Sequence, residues 1–162
     1  MDFNVTLKPM RIHDIVDYVG AMDGVLVITP QEGDPHPEIA WGDVFFFYAP
    51  DGVVPKAQPF ATIVTKDYPD DATSHLNRPG AFRVNIAAGA AEFRKWTGHH
   101  AGEAGASAAD PSAADTLTPH PVYGRQNWLS VVNPGPATAE IVKELIETAH
   151  RLARERFDRR AR

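Results

Sequence analysis

The sequence contains no cysteine, so disulfides, thiolate metal ligands and a cysteine nucleophile are all excluded. It also contains no apolar run close to the roughly 20 residues that cross a bilayer. Its first residues, MDFNVTLKP, lack the basic and then apolar pattern of a signal peptide. We therefore expect a cytoplasmic protein with no membrane partner.

The motifs by which many enzymes are identified are absent as well. There is no G-x-S-x-G elbow, no G-x-x-x-x-G-K loop and no G-x-G-x-x-G fingerprint. The sequence therefore lacks the usual signatures of hydrolases, nucleoside triphosphatases and dinucleotide-dependent enzymes. Seven histidines invite a metal hypothesis, but His99 and His100 are adjacent and lack the H-x-x-x-H or H-x-H spacing of a shared ion. We therefore expect no cofactor and no metal.

Charge is unevenly distributed along the chain. The net charge is −5, and residues 151–162 hold six arginines against two acids, so the remainder carries −5 less +4, or −9. An acidic body repels phosphate, and four net charges are few beside the roughly 6 to 10 phosphate contacts of typical DNA-binding proteins. Charge thus disfavours nucleic acid as a partner without excluding it. Residues 158–162 are expected to form a basic tail.

The length and composition suit a single domain. The chain has 162 residues, of which 43% are hydrophobic, and this supports one globular core within residues 1–162. Residues 99–119 are small and polar and show no period. Such a segment inside one domain predicts a flexible loop.

Amphipathic helices are predicted near both ends of the chain. Apolar residues recur at three-and-four spacing between residues 12 and 22, and again between residues 141 and 153. Turn-forming residues 133–136 precede the second helix, for which Thr138 is the expected N-cap. The apolar stripe of each helix is expected to cover a sheet.

Short strands are predicted between these helices. They lie at residues 25–29, 44–49, 60–65, 81–86 and 128–132, and residues 39–41 are expected to be extended. Arg83 and Asn85 alternate with apolar residues, so both are expected on the face away from the core. The pattern predicts an α+β fold, a two-layer sandwich of an antiparallel sheet of about five strands with the N- and C-terminal helices on one face. The other face of the sheet is expected to be free.

Three segments carry a resemblance to known families: W-G-D-x-F-F from Trp41, P-F-A-T-I-V-T-K-D-Y from Pro59 and H-P-V-Y-G from His120. They resemble an uncharacterised group of bacterial proteins, a domain of unknown function, over most of residues 10–155. The order of elements and the N-W pair at Asn127 are more distantly similar to the MmcQ/YjbR-like family, in which a His is common at that position. The resemblance implies the two-layer fold and, by analogy with that wider family, DNA binding. It supplies no catalytic residue.

Three side chains are candidates for acid–base chemistry. His120 precedes the final strand, Asp43 follows a glycine at a strand bend, and Tyr68 lies just beyond a strand. They can act together only if the fold brings them into contact. The alternative for His120 is a structural hydrogen bond to a backbone carbonyl where the strand begins.

Five side chains are candidates for ligand binding. Tyr123 lies three residues after His120, so the two are expected to face one pocket. Lys66 shares a side of its strand with Tyr68, which suits a polar pair or an anion site. The ligand-binding candidates are Trp41, Lys66, Arg83, Asn85 and Tyr123.

Three functions remain open on the sequence alone. The leading hypothesis is a non-catalytic small-molecule or partner-binding module, because the aromatics of residues 41–48 exceed what one small core must absorb. The second is DNA binding, by analogy with the MmcQ/YjbR-like family. The third is a small enzyme that uses His120 as acid or base. A homodimer formed through a sheet edge is a further expectation.

Overall fold

The computed structural model describes residues 9–103, 105–106 and 109–161. Within these residues, six strands and three α-helices form an α+β fold, as predicted. In chain order the elements are α1 Ile12–Gly20, β1 Val25–Ile28, β2 Val44–Tyr48, β3 Ala61–Val64, β4 Arg83–Ala87, α2 Ala90–Thr97, β5 Leu117–Pro119, β6 Trp128–Val132 and α3 Ala139–Arg160. Short 3₁₀ turns occur at Glu38–Ala40 and Tyr123–Gln126.

The strands form one antiparallel sheet in the order β1-β2-β3-β4-β6-β5. The expected number of five strands is therefore too low by one. The additional strand, β5, is only three residues long, ends in a proline and lies within the segment predicted as a flexible loop. Three residues are too few to show the alternation of a strand. They form a strand because their backbone groups pair with those of β6. Residues 39–41, predicted as extended, overlap the 3₁₀ turn Glu38–Ala40 instead.

The helices cover one face of the sheet, as the apolar stripes predicted. Five residues of α3 are buried, and they join the core side chains of β2, β3, β4 and β6 in one cluster. Ile15 and Val19 of α1 and Phe93 of α2 enter the same cluster. Complete removal of such apolar side chains from water is the main stabilising contribution of this layer. None of the described helices combines the length and apolar character needed to cross a membrane.

The start of α3 is held by a residue distant in sequence. Thr138 occupies the N-cap position, as expected, but its side chain does not cap the helix. The carboxylate of Asp115 instead accepts the backbone N–H groups of Gly135, Ala137 and Thr138 at 2.8, 3.0 and 3.0 Å. These N–H groups have no partner inside the helix, so Asp115 fastens the segment before β5 to α3.

The face opposite the helices, called the reverse face below, is not free. Arg83 and Asn85 lie on it, yet each is only 1% exposed, so the expectation of an open surface is wrong. Side chains from residues 65–82 and 120–127 fold over it, and Asp71 and His120 reach Arg83 directly. An unpaired guanidinium is too costly to bury, and these loops supply its partners. A pocket remains between the loops and the sheet.

Candidate functional site: a pocket on the reverse face

The pocket has a volume of about 410 Å³ and lies over β2, β3, β4 and β6. We call it the sheet pocket. Its lining residues combine aromatic and aliphatic side chains with a small set of polar ones. The aromatic and aliphatic residues are Pro37, Ile39, Ala40, Phe45, Pro59, Val64, Val122, Tyr123 and Trp128, and the polar ones are Gln58, Thr62, Tyr68, Asp70, Asp71, Arg83, Asn85 and His120.

Strand register places a row of polar groups across the reverse face. Thr62 of β3 lies opposite Asn85 of β4, which lies opposite Ser130 of β6. The Asn85 amide donates to Thr62 Oγ1 at 3.0 Å, and the Ser130 hydroxyl donates to Asn85 Oδ1 at 2.8 Å. Because side chains on one face recur every second residue, Arg83 joins this row and donates from Nε to Asn85 Oδ1 at 2.7 Å.

Arg83 is the central charge of the sheet pocket. Nη1 and Nη2 donate to the two oxygens of Asp71 at 3.0 and 2.6 Å, a bidentate pair, and Nη1 also donates to Ser74 Oγ at 2.9 Å. Burial tends to raise the pKa of Asp71, but the hydrogen bonds and charge of Arg83 outweigh it and hold that pKa below its ordinary value. The charge of Arg83 is therefore neutralised inside the protein.

His120 lies beside Arg83 and is 5% exposed. Its Nδ1 accepts the backbone N–H groups of Val122 and Tyr123 at 3.0 and 2.9 Å. Burial and the nearby charge of Arg83 lower the pKa of His120 to about 3, against a smaller opposing effect of Asp71. The ring is therefore neutral near pH 7. The expected alternative for His120, a bond to a backbone carbonyl, is replaced by acceptance of two backbone N–H groups.

Two aromatic side chains pack around this imidazole. The ring centroid of His120 lies 4.9 Å from that of Tyr123 and 6.2 Å from that of Trp128. The expectation that His120 and Tyr123 share one pocket backed by a tryptophan agrees with this geometry. Trp128 is that tryptophan, whereas Trp41 is not among the residues that line the pocket.

A second polar cluster adjoins the pocket through Tyr68 and surrounds Asp43, which is fully buried. Its Oδ1 accepts from the Thr65 backbone N–H, the Thr65 hydroxyl and Lys66 Nζ, each at 2.8 Å, and its Oδ2 accepts from the Tyr68 hydroxyl. Lys66 also donates to the Trp41 carbonyl at 2.8 Å. Burial and the bond to Asp43 raise the pKa of Tyr68 above its ordinary value. The cluster thus fixes the position of Tyr68, which lines the sheet pocket.

The structure brings some of the predicted site residues together and separates others. Asp43 and Tyr68 meet, but His120 contacts Arg83 rather than either of them. Among the ligand-binding candidates, Arg83, Asn85 and Tyr123 line the sheet pocket, while Trp41 and Lys66 belong to the Asp43 cluster. Their roles in binding remain predictions.

Sequence reasoning did not find Asp71 and Ser74. Both lie in the polar loop K-D-Y-P-D-D-A-T-S, which also contains Asp67 and Asp70. The acidic character of that loop is a signal that it meets a buried cation. The spacing of its residues does not tell which of the three carboxylates reaches Arg83.

Two further features of the described residues bear on the choice of site. No group of three or more His, Asp or Glu side chains among them is arranged to hold a metal ion. A second cavity of about 500 Å³ borders His120 from the side of residues 102–103, 105–106 and 119–125, but its charged lining residues, Glu103 and Arg125, are exposed. The buried polar side chains of Thr62, Arg83, Asn85 and His120 line the sheet pocket.

The fold and the pocket define an α+β domain with a half-open pocket on the reverse face of its sheet. The model of a family of unknown function, DUF6194, matches residues 10–162, so the chain belongs to that family. This agrees with the expected domain of unknown function but gives no support to the resemblance to the MmcQ/YjbR-like family. None of the curated proteins and none of the solved structures matches the chain.

Proposed function

We propose that this protein is a non-catalytic module that binds a small molecule in the sheet pocket. The observation that carries the proposal is the pocket itself, in which aromatic walls surround the buried pair of Arg83 and His120. Its volume of about 410 Å³ lies within the range of about 300–1,000 Å³ that is typical of small-molecule sites. Such sites commonly combine an apolar lining with a few polar groups that orient the ligand.

The polar groups of the pocket are held in place before any ligand arrives. Arg83 is fastened by Asp71, Ser74 and Asn85, and His120 is fastened by two backbone N–H groups. Side chains that are already fixed lose little conformational entropy on binding.

The same geometry disfavours acid–base catalysis by the candidate residues. His120 has a pKa of about 3, and its Nδ1 lone pair is occupied by backbone donors, so it is a poor base near pH 7. The Tyr68 hydroxyl donates a hydrogen bond to Asp43 and has a raised pKa, so it keeps its proton. Asp43 itself is fully buried and accepts from Thr65, Lys66 and Tyr68. Binding without chemistry is the better account of these groups.

A ligand screen by thermal shift tests the proposal. At a ligand concentration of about 100 times Kd, binding stabilises the folded state by about 2.7 kcal/mol. For a chain of this size, each kcal/mol of stabilisation raises Tm by about 2–4 °C. A library of several hundred chemically diverse metabolites should therefore contain compounds that raise Tm clearly. A complete absence of stabilising compounds would contradict the proposal.

Two exposed residues provide matched variants for any compound that binds. Tyr123 lines the pocket and is 43% exposed, whereas Val53 lies elsewhere and is 64% exposed. Tyr123→Ala should weaken binding because it removes an aromatic wall, and Val53→Ala should leave it unchanged. Equal effects of the two substitutions would place the binding outside the sheet pocket.

DNA binding has less support from the described residues. The arginines at the end of α3, including Arg151, Arg154 and Arg159, are exposed, but the rest of the chain is strongly acidic. A gel shift at low salt that disappears when residues 151–162 are deleted would favour DNA binding over ligand binding. We expect no shift, because electrostatic attraction to phosphate requires more positive charge.

A homodimer through the sheet edge is a separate proposal. Among the described residues, β1 is an edge strand and its four residues are partly exposed. An edge strand can pair with a second copy through its backbone groups. Sedimentation velocity over a range of protein concentrations distinguishes a dimer from a monomer.

A further inference from the structure

The hydrogen-bond donors of Arg83 are almost all paired within the protein. Arginine has five N–H groups. Those of Nε and Nη1 donate to Asn85, Asp71 and Ser74, and one of those on Nη2 donates to Asp71. The remaining N–H of Nη2 faces His120 Nε2, which lies 3.3 Å away. Its partner therefore depends on where His120 carries its proton.

The tautomer of His120 follows from its backbone contacts. Nδ1 accepts the N–H groups of Val122 and Tyr123 at 3.0 and 2.9 Å, so its lone pair is directed at two donors. A neutral imidazole must then carry its proton on Nε2. In the opposite tautomer, Nδ1–H would point at two backbone N–H donors, and the only hydrogen bond formed in exchange would be the contact of 3.3 Å from Arg83 Nη2 to Nε2. Two short hydrogen bonds outweigh one long contact.

With this tautomer, Nε2–H of His120 and the last N–H of Arg83 are two neighbouring donors. At 3.3 Å they cannot bond to each other, because neither is an acceptor. One acceptor atom within hydrogen-bond distance of both nitrogens satisfies the two donors at once. Buried donors that lack an acceptor are destabilising, so such an atom has a strong energetic reason to bind there.

The charges around the pocket select against an anionic ligand. Among its described lining residues the charged side chains are Arg83, Asp70 and Asp71, and His120 is neutral near pH 7. Asp71 already neutralises Arg83 at 2.6 Å. A ligand carboxylate would add a negative charge beside two aspartates without a free cation to balance it, which is costly in a partly buried site.

The remaining walls are apolar and aromatic. Phe45 lies on the reverse face, and Tyr123 and Trp128 lie next to His120 with ring centroids 6.2 Å apart. Such walls favour a flat apolar body beside the two donors.

Resting on the proposed binding function, we infer that the sheet pocket takes a neutral carbonyl compound with a flat apolar body. Its carbonyl oxygen accepts from His120 Nε2 and Arg83 Nη2, and its body lies against Phe45, Tyr123 and Trp128.

Three probes of nearly equal shape test the inference: acetophenone, α-methylstyrene and benzoate. α-Methylstyrene replaces the carbonyl oxygen of acetophenone by a CH₂ group, and benzoate replaces the methyl ketone by a carboxylate. Each is titrated into the ¹⁵N-labelled full chain at pH 7, and Kd is obtained from amide chemical-shift changes. Acetophenone should bind about tenfold more tightly than α-methylstyrene, since two hydrogen bonds are lost in the hydrocarbon. Benzoate should bind more weakly than acetophenone.

The outcomes separate this inference from the proposed function. Equal binding of acetophenone and α-methylstyrene would overturn the carbonyl preference while leaving the pocket a ligand site. Tightest binding of benzoate would overturn the preference for a neutral ligand. Binding of none of the three would overturn the inference, whereas the proposed function would be contradicted only if the wider thermal-shift screen also found no stabilising compound.

A variant of His120 identifies the donor. In His120→Asn the side-chain oxygen can still accept the backbone N–H groups of Val122 and Tyr123, but the Nε2 donor is gone. The preference for acetophenone over α-methylstyrene should fall severalfold, with α-methylstyrene binding little changed. His100→Asn, in an exposed histidine outside the pocket, is the control and should change nothing.

The tautomer can be measured without any variant. Long-range ¹H–¹⁵N spectra of the histidine side chains in the wild-type chain should show His120 protonated at Nε2 and unprotonated at Nδ1. A proton on Nδ1 would make Nε2 an acceptor for Arg83 and would contradict the inference. Because this measurement uses the wild-type chain, it decides the question even if His120→Asn does not fold.

Discussion

The guanidinium of Arg83 on β4 and the carboxylate of Asp71 in the preceding loop form two parallel hydrogen bonds of 3.0 and 2.6 Å. Their side chains are only 1% and 13% exposed. This pair joins the loop of residues 65–82 to the reverse face of the sheet. It therefore forms one side of the sheet pocket and keeps Arg83 in position beside His120.

Asp71→Asn should destabilise the fold strongly. The substitution leaves Arg83 buried without a counter-charge, and breaking such a pair typically costs about 3–5 kcal/mol in the free energy of unfolding. Urea unfolding followed by circular dichroism measures the change. Asp70→Asn is the matched control, because Asp70 is exposed and should change the free energy by about 0.5 kcal/mol or less. Similar costs for the two substitutions would contradict the assigned ion pair.

Stability should fall as pH decreases from about 6.5 towards 3 because of His120. The pKa of this group is about 3 in the folded chain and about 6.5 when unfolded, so the unfolded state binds more protons in this window. Full stabilisation is present above pH 6.5, and up to about 1.4 kcal/mol per pH unit is lost below it. Asp71, whose folded pKa is lowered, adds a loss in the same direction below its ordinary value of 3.8.

Urea unfolding at several pH values tests this slope. His120→Asn removes the titrating group, so its unfolding free energy should depend less steeply on pH between about pH 6 and 4 than that of the wild type. His100→Asn should retain the wild-type slope. An unchanged slope in His120→Asn would mean that the imidazole is not held neutral by its surroundings.

Asp43→Asn should cost more stability than Tyr68→Phe. The first substitution removes the charge partner of Lys66 from a fully buried site, with an expected cost of about 2–4 kcal/mol. The second removes one donor and keeps the ring that lines the pocket, with an expected cost of about 1–2 kcal/mol. Tyr68→Phe should also leave ligand binding in the pocket nearly unchanged. A larger cost for Tyr68→Phe would show that Asp43 is held chiefly by that hydroxyl.

Asp115→Gly should weaken the start of α3, and Asp115→Asn should do so less. Asp115 has a positive φ of 52°, which both glycine and asparagine tolerate, so the two substitutions add little backbone strain. Glycine removes the carboxylate that accepts from the N–H groups of Gly135, Ala137 and Thr138, at an expected cost of about 1–2 kcal/mol. Asparagine keeps one oxygen acceptor. Equal Tm values for the two variants would show that Asp115 is not the helix cap.

Much of the fold could be predicted because its signals are local. The three-and-four spacing identified α1 and α3, and the alternation around β4 correctly assigned Arg83 and Asn85 to one face. β5 was missed because three residues are too few to show a period, and they form a strand only by pairing with β6.

The site could be predicted only in part. Arg83 and Asn85 were candidates because their alternation placed them on the face away from the core, and His120 and Tyr123 because their spacing suggested one shared pocket. All four line the sheet pocket. Their contacts were not predicted. The pairing of Arg83 with Asp71 joins residues 12 apart through a loop whose path has no periodic signal.

The sequence by itself determined the classes of residue that cover the core, the helices that carry them, and the absence of thiol chemistry. These follow from composition and from spacings of two to four residues, which depend only on backbone geometry. The tertiary structure decided that loops fold over the reverse face, that Arg83 is paired with Asp71, and that Nδ1 of His120 accepts two backbone N–H groups beside Arg83. These depend on which loops meet across the sheet, because the cost of burying a charge is offset only by partners brought close in space.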